Sequence, residues 1–234
     1  MYKELERLQL NLTDNEEKLF DSFISLFKEY NEKVNLISKN DVNYLFEKHI
    51  FDSLSFNLFY KKYIKNDTIK LLDIGTGGGF PAIPLSLKYN NIKVTALDSI
   101  NKKINFIKQA KETLSTPNIN PICTRVEDLP INLKSSYDIV TSRAMAELRI
   151  ILEYAIPYVK VGGYFVAYKS IKTEEEIKNA QNALKLLNSQ VIDIIEYSLP
   201  IDEGNKRYLI IIKKEKEVPS SYPRKNGLPK RKPL

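Results

Sequence analysis

The chain has 234 residues, 43% of them hydrophobic, and a net charge of +7, which fits one α/β domain with a modest extension. A single Cys and a single His exclude an intrachain disulfide and leave little for a zinc or soft-metal site, so no metal is expected. No apolar stretch is long enough to span a membrane, and MYKELERLQL is too charged for a signal peptide, so the expectation is a soluble protein of the reducing cytoplasm.

Thr13-x-x-Glu16 is a capping-box pattern, and Leu19, Phe20, Phe23, Leu26, Phe27 and Tyr30 recur behind it at helical spacing. NEKVNLIS at 31–38 breaks that helix. A second continuous helix is expected from Asp41 to about Tyr63, with Val42, Leu45, Phe46, His49, Ile50, Leu54 and Leu58 on its apolar side. A turn at 65–67 ends this helical extension. From residue 69 the pattern alternates between strands and helices. Strands are expected at 69–75, 92–98, 119–125, 137–143 and 162–169. Helices are expected over 81–89, from Ser99 as cap, over 147–158 and from Thr173. VIDIIEYSL and KRYLIIIKK close the series as a strand hairpin. Such alternation predicts a doubly wound, mostly parallel sheet, with a site along the edge where the strands end. The last stretch, VPSSYPRKNGLPKRKPL at 218–234, holds four prolines. Residues 213–234 carry eight Lys/Arg and two Glu, so the tail is basic and the body nearly neutral. It is either a solvated terminus or a segment that clamps nucleic-acid phosphate and leaves the rest of the site untouched.

LLDIGTGGGFPAIPL at 71–85 packs four of the eight glycines into positions 75–79. A dinucleotide fingerprint needs glycine five residues after Gly75, and Phe80 stands there instead. No Gly-Lys-Ser/Thr follows, so a phosphate loop is excluded too. Asp73 ends the first strand and Asp98 ends the second, where a carboxylate can accept both hydroxyls of a ribose. RVED at 125–128 ends the third strand, placed to meet an adenine edge. A ligand with a ribose and adenine but no phosphate fits these landmarks, which points to S-adenosylmethionine (SAM). Each Asp taken alone could equally be a helix cap.

HIFDSL (49–54), LLDIGTGGGFPAIPL, LDSINKKINFI (97–107), RVEDLP (125–130), TSRAMAEL (141–148) and YPRKNGLPKRKPL (222–234) occur in that order. Together they resemble the RsmG (GidB) family of bacterial 16S ribosomal RNA methyltransferases. The resemblance implies a class I, Rossmann-like, seven-stranded fold and transfer of a methyl group from SAM to N7 of a guanine. The implied partner is 16S RNA in the small ribosomal subunit or its precursor, with the protein as a monomer. The implied parts are a helical extension at 1–66, a SAM-binding domain at 67–217 and a basic tail at 218–234. Candidate cofactor residues are Asp73, Gly75, Gly77, Gly79, Phe80, Asp98, Ser99, Val126 and Glu127. Arg143, at the end of the fourth strand, joins them by resemblance.

Guanine N7 has a free lone pair and no proton, so alignment is needed and a general base is not. Arg143 and His49 are therefore positioning candidates. Arg143 could contact guanine O6, steer phosphate or make a surface ion pair, and His49 could shape a base pocket or fill the core. Arg125, Lys169, Arg224, Lys225, Lys230 and Arg231 are candidates for RNA phosphate, with ion pairing the alternative for Arg125 and Lys169. Cytosine C5 chemistry would need a nucleophilic Cys, and Cys123 lies in an apolar strand where burial is expected. Two rival functions stay open, a SAM-binding RNA-associated regulator without turnover and a small-molecule methyltransferase. The basic tail argues against the latter.

Overall fold

A computed structural model describes residues 1–65, 68–170 and 173–234, with the side chains of Glu203 and Asn205 set aside. The expected boundary between 66 and 67 lies outside the described residues. A short 3-10 helix at Tyr2–Leu8 precedes α1 (Asp14–Val34). Thr13 and Glu16 form the predicted reciprocal capping box, with Thr13 N–H donating to Glu16 Oε2 at 2.8 Å.

The second helix is not continuous. It runs as α2 (Lys39–Val42), a π-helical turn at Phe46–Ile50, α3 (Phe51–Leu54) and α4 (Phe56–Tyr63). Serines mark the break. Ser53 Oγ donates to the His49 carbonyl at 2.6 Å and Ser55 Oγ to the Asp52 carbonyl at 2.7 Å. Such back-bonding competes with the regular ladder and bends a helix.

The core elements follow as β1 (Ile69–Ile74), α5 (Ala82–Lys88), β2 (Ile92–Asp98), α6 (Asn101–Thr113), β3 (Ile119–Cys123) and β4 (Tyr137–Arg143). Then come α7 (Leu148–Ala155), β5 (Val159–Lys169), α8 (Thr173–Asn179), α9 (Gln181–Leu186), β6 (Ser189–Leu199), β7 (Asp202–Lys214) and α10 (Leu228–Arg231). The seven strands form one sheet in the order β3-β2-β1-β4-β5-β7-β6. Strands β1 to β5 pair in parallel, and β7 runs antiparallel to both β5 and β6.

Alternation along each strand sorts the core into two layers. Leu71, Ile139, Val166 and Ile211 face the layer holding Phe20, Phe23 and Phe27 of α1, Phe56 and Phe59 of α4, and Phe106 of α6. Their neighbours Leu72, Val140, Phe165 and Ile210 face α7 and α9. The N-terminal helices therefore share a continuous core with the sheet. Val218, Tyr222 and Leu234 of the tail pack against the second layer, and Pro223 and Pro229 are buried. The tail is thus docked, and it includes a four-residue helical turn with proline near its start, where the missing N–H costs nothing.

Two local expectations fail. Ser99 does not cap α6: Ile100 is the N-cap, and Asp98 Oδ1 accepts from the Ile100 N–H at 2.9 Å. Cys123 is exposed, because β3 is an edge strand and Cys123 is its last residue. Among the described residues, no helix is long and apolar enough to cross a membrane, and no group of three or more His, Cys, Asp or Glu is placed to hold a metal ion.

Candidate active site

Parallel strand pairing brings the C-terminal ends of β1, β2, β4 and β5 to one edge. Asp73 pairs with Thr141, Asp98 with Cys123, and Arg143 with Tyr168. The glycine turn after β1 is anchored by the N–H groups of Gly75 and Thr76, which donate to the Leu97 carbonyl at 2.8 and 3.0 Å. Gly75, Gly77 and Gly79 have φ of +71°, +58° and +90°, the left-handed region that glycine enters without steric cost. Asp98 braces this turn, since the Gly77 N–H donates to its Oδ2 at 3.0 Å. Lys103 Nζ lies 3.5 Å from the same oxygen.

A cleft of about 730 Å3 opens over this edge, lined by Gly75, Asp98, Ser99, Val126 and Glu127 together with the apolar Leu97, Ile150 and Tyr154. A ribose and adenine suit it. Asp98 is 7% exposed and its Oδ1, which accepts only the Ile100 N–H, keeps an unused lone pair, while apolar side chains stand ready for a flat ring. Asp73 lies behind the loop, fully buried, with Oδ1 accepting from Thr141 Oγ1 at 2.9 Å and Oδ2 lacking a partner. Burial pushes its carboxyl up to about 6.

A second cleft, of about 400 Å3, adjoins the first. Its floor is Arg143. The guanidinium donates from Nη1 to Asp52 Oδ2 at 2.8 Å and to the Lys48 carbonyl at 3.2 Å, and Nη2 lies 2.7 Å from His49 Nδ1. Tyr197 Oη donates to the other oxygen of Asp52 at 2.6 Å. A guanidinium can only donate, so His49 Nδ1 accepts and Nε2 carries the proton. That Nε2 is buried without a partner, as is Arg207 Nε. Both residues line the cleft with Lys48, Tyr168, Lys169 and Glu176. Burial, then the Arg143 charge, pushes the His49 imidazole down to about 4, so it is neutral near pH 7.

Ala144 and Met145 line both clefts, so the β4–α7 connection forms a shared border. Ala144 has φ +54°, and Met145 lies directly over Gly75, where a Cβ would strike its sulfur.

A model of the GidB family, described as rRNA small subunit methyltransferase G, matches residues 16–207. The chain belongs to the GidB family. It is 43% identical over 235 residues to Ribosomal RNA small subunit methyltransferase G of Streptococcus uberis, covering 100% of this chain and 98% of that protein. The same-named protein of Streptococcus pneumoniae serotype 4 is 40% identical with the same coverage. Among solved structures, M. jannaschii TYW2 in complex with AdoMet is similar over 65% of this chain and 72% of that one, at a TM-score of 0.53 and 19% identity. That likeness shows the fold, the class I methyltransferase architecture that the family resemblance implies and the doubly wound sheet that the strand pattern predicts.

The candidates from this family's motifs divide by place. Gly75, Asp98, Ser99, Val126 and Glu127 line the larger cleft. Gly77 braces Asp98 from the loop, and Gly79 packs on Ile83. Phe80 lines neither cleft. It is buried between Phe23 and Phe27 of α1 on one side and His49 and Arg143 on the other, with Arg143 Cζ 5.4 Å from its ring centroid. Phe80 therefore packs beneath the smaller cleft, against the Arg143 guanidinium. Arg143 and His49 meet in that smaller cleft.

The basic candidates separate as well. Lys169 pairs with Glu176 at 2.6 Å and donates to the Ala146 carbonyl at 2.8 Å, so it is an ion-pair residue. Arg224 is bound to buried Glu153. Arg125, Lys230 and Arg231 line the larger cleft, and Lys225 is exposed beside it in the chain. Sequence reasoning misses Lys48, Asp52, Met145, Tyr197 and Arg207. Only Asp52 carries a signal, one helical turn from His49. Lys48 and Met145 stand one and two residues from His49 and Arg143, whereas Tyr197 and Arg207 reach the site only through the sheet.

Proposed function

We infer that this protein transfers a methyl group from SAM to N7 of a guanine in 16S ribosomal RNA, within the small subunit or its precursor. The observation that carries this reading is the pair of adjoining clefts that share Ala144 and Met145. One offers a carboxylate and apolar walls to a nucleoside, and the other a fixed cation to a base. When bound, SAM supplies a methyl group activated by its sulfonium. The chain's residues then need only align the acceptor. Asp52, the Lys48 carbonyl and His49 hold Arg143 in one orientation, so its remaining N–H groups are donors suited to guanine O6. No base is required at N7, and alignment alone can contribute ~7–11 kcal/mol in favourable cases.

Family membership supports a cytoplasmic setting and the three-part organisation into helical extension, SAM domain and tail. The test is label transfer from tritiated SAM to small subunits, their precursors and naked 16S RNA, followed by chemical cleavage at N7-methylated guanine. Transfer to a single guanine is expected. SAM binding without transfer to any of the three substrates would replace this reading with a regulator that does not turn over.

A further inference from the structure

The sheet and its helices do not close the cofactor cleft by themselves. Asn226, Gly227, Lys230 and Arg231 of the C-terminal tail line it together with Asp98. One buried ion pair carries the tail there. Glu153 on α7 is 0% exposed, and Arg224 meets it three times: backbone N–H to Oε1 at 2.9 Å, Nε to Oε1 at 2.7 Å and Nη2 to Oε2 at 2.6 Å. The same Nη2 donates to the Lys232 carbonyl at 2.8 Å, closing the turn that includes α10. Ile150 and Tyr154, on the same helix as Glu153, line the cleft. One helix thus presents apolar side chains to the cavity and a carboxylate to the segment that walls it. A carboxylate buried this deeply persists only with a hydrogen-bonded cation, so the tail's position is strongly specified.

We propose that the Glu153–Arg224 pair is a latch that makes the tail part of the cofactor site, so that cofactor affinity depends on it. This rests on the SAM reading above. It replaces the expectation of a phosphate clamp independent of the methyl site. A ligand that fills this cleft and touches the tail binds the docked tail and not the released one, so the ligand must in turn hold the tail down. Glu153 and Arg224 act here as positioning residues.

The test uses the full chain, with S-adenosylhomocysteine as probe in calorimetry and in limited trypsin digestion. Wild type should bind the probe, and the probe should slow cleavage after Lys225 and Lys230. A double variant, Glu153→Gln with Arg224→Gln, removes both charges and leaves no orphaned carboxylate. It should unfold cooperatively yet bind the probe roughly tenfold more weakly, the scale of one charge-assisted hydrogen bond, and should no longer be protected from trypsin. Arg224→Lys keeps the charge without the fork and should fall between. A folded double variant with wild-type affinity overturns the latch. So does wild-type cleavage after Lys225 that the probe fails to slow, a measurement that needs no variant. Wild type that binds neither SAM nor the probe overturns the SAM reading itself, and the latch with it.

Discussion

Arg143 cannot yield a proton, and this fixes what His49 does as the pH falls. Protonating His49 removes the acceptor that Arg143 uses and places two cations 2.7 Å apart. Burial first, and this Arg143 charge second, hold the imidazole down to about 4 from its ordinary 6.5. Between those values the unfolded chain binds the proton and the folded one does not, so this residue's contribution is present above pH 6.5 and is lost as pH falls towards 4. Asp73 opposes it, since its raised carboxyl, near 6, is an unfavourable charge in the fold that protonation relieves on acidification. The difference between wild type and His49→Gln isolates the histidine. Denaturant titrations should show the wild type's advantage shrinking by up to ~3 kcal/mol from pH 6.5 to 4. A constant difference would mean that His49 is charged or solvated in the fold. Asp98 makes a simpler case. Asp98→Ala should weaken SAM by ~1.5–3 kcal/mol in calorimetry, the range for a hydrogen bond to a charged group. An unchanged dissociation constant would reduce Asp98 to a brace for Gly77 and Ile100.

The glycine turn works as one element, and its glycines differ in what surrounds them. A Cβ at Gly77 would meet nothing closer than the Gly75 carbonyl at 3.9 Å, so only the left-handed backbone opposes it. A Cβ at Gly79 would run into Ile83 Cδ1 and come within 2.7 Å of Cγ1, on a buried residue of α5. Gly77→Ala should therefore destabilise by ~1–2 kcal/mol, and Gly79→Ala by roughly 2–5 kcal/mol, backbone strain plus overpacking. Equal costs in chemical denaturation would show that Ile83 gives way freely. This turn is legible in the sequence because strand, glycines, helix and both aspartates are local signals, spread over two successive strands. The π-helical turn at Phe46–Ile50 is not, because the apolar spacing of a bent helix and a straight one is nearly the same over two turns. Nor is the contact of Arg143 with Lys48, His49 and Asp52, which lie 91 to 95 residues before it in the chain.

At the scale of the whole molecule, the basic tail is where composition misleads most. Counting charge treats every cation as available to phosphate, whereas Arg224 is engaged by a carboxylate 71 residues away. What remains for RNA is the exposed set that includes Lys225 and Lys232, next to the cleft but outside its lining. These cations and the latch should separate experimentally. Lys225→Gln with Lys232→Gln removes two exposed charges and leaves Glu153 paired. RNA binding should weaken, and the slope of log affinity against log salt should flatten by roughly 0.7–0.9 for each phosphate no longer neutralised. Affinity for S-adenosylhomocysteine should stay at the wild-type value, the reverse of the pattern expected when the latch is opened. A salt series that leaves the slope unchanged would place the RNA elsewhere on the surface. The tail would then act on the cofactor alone.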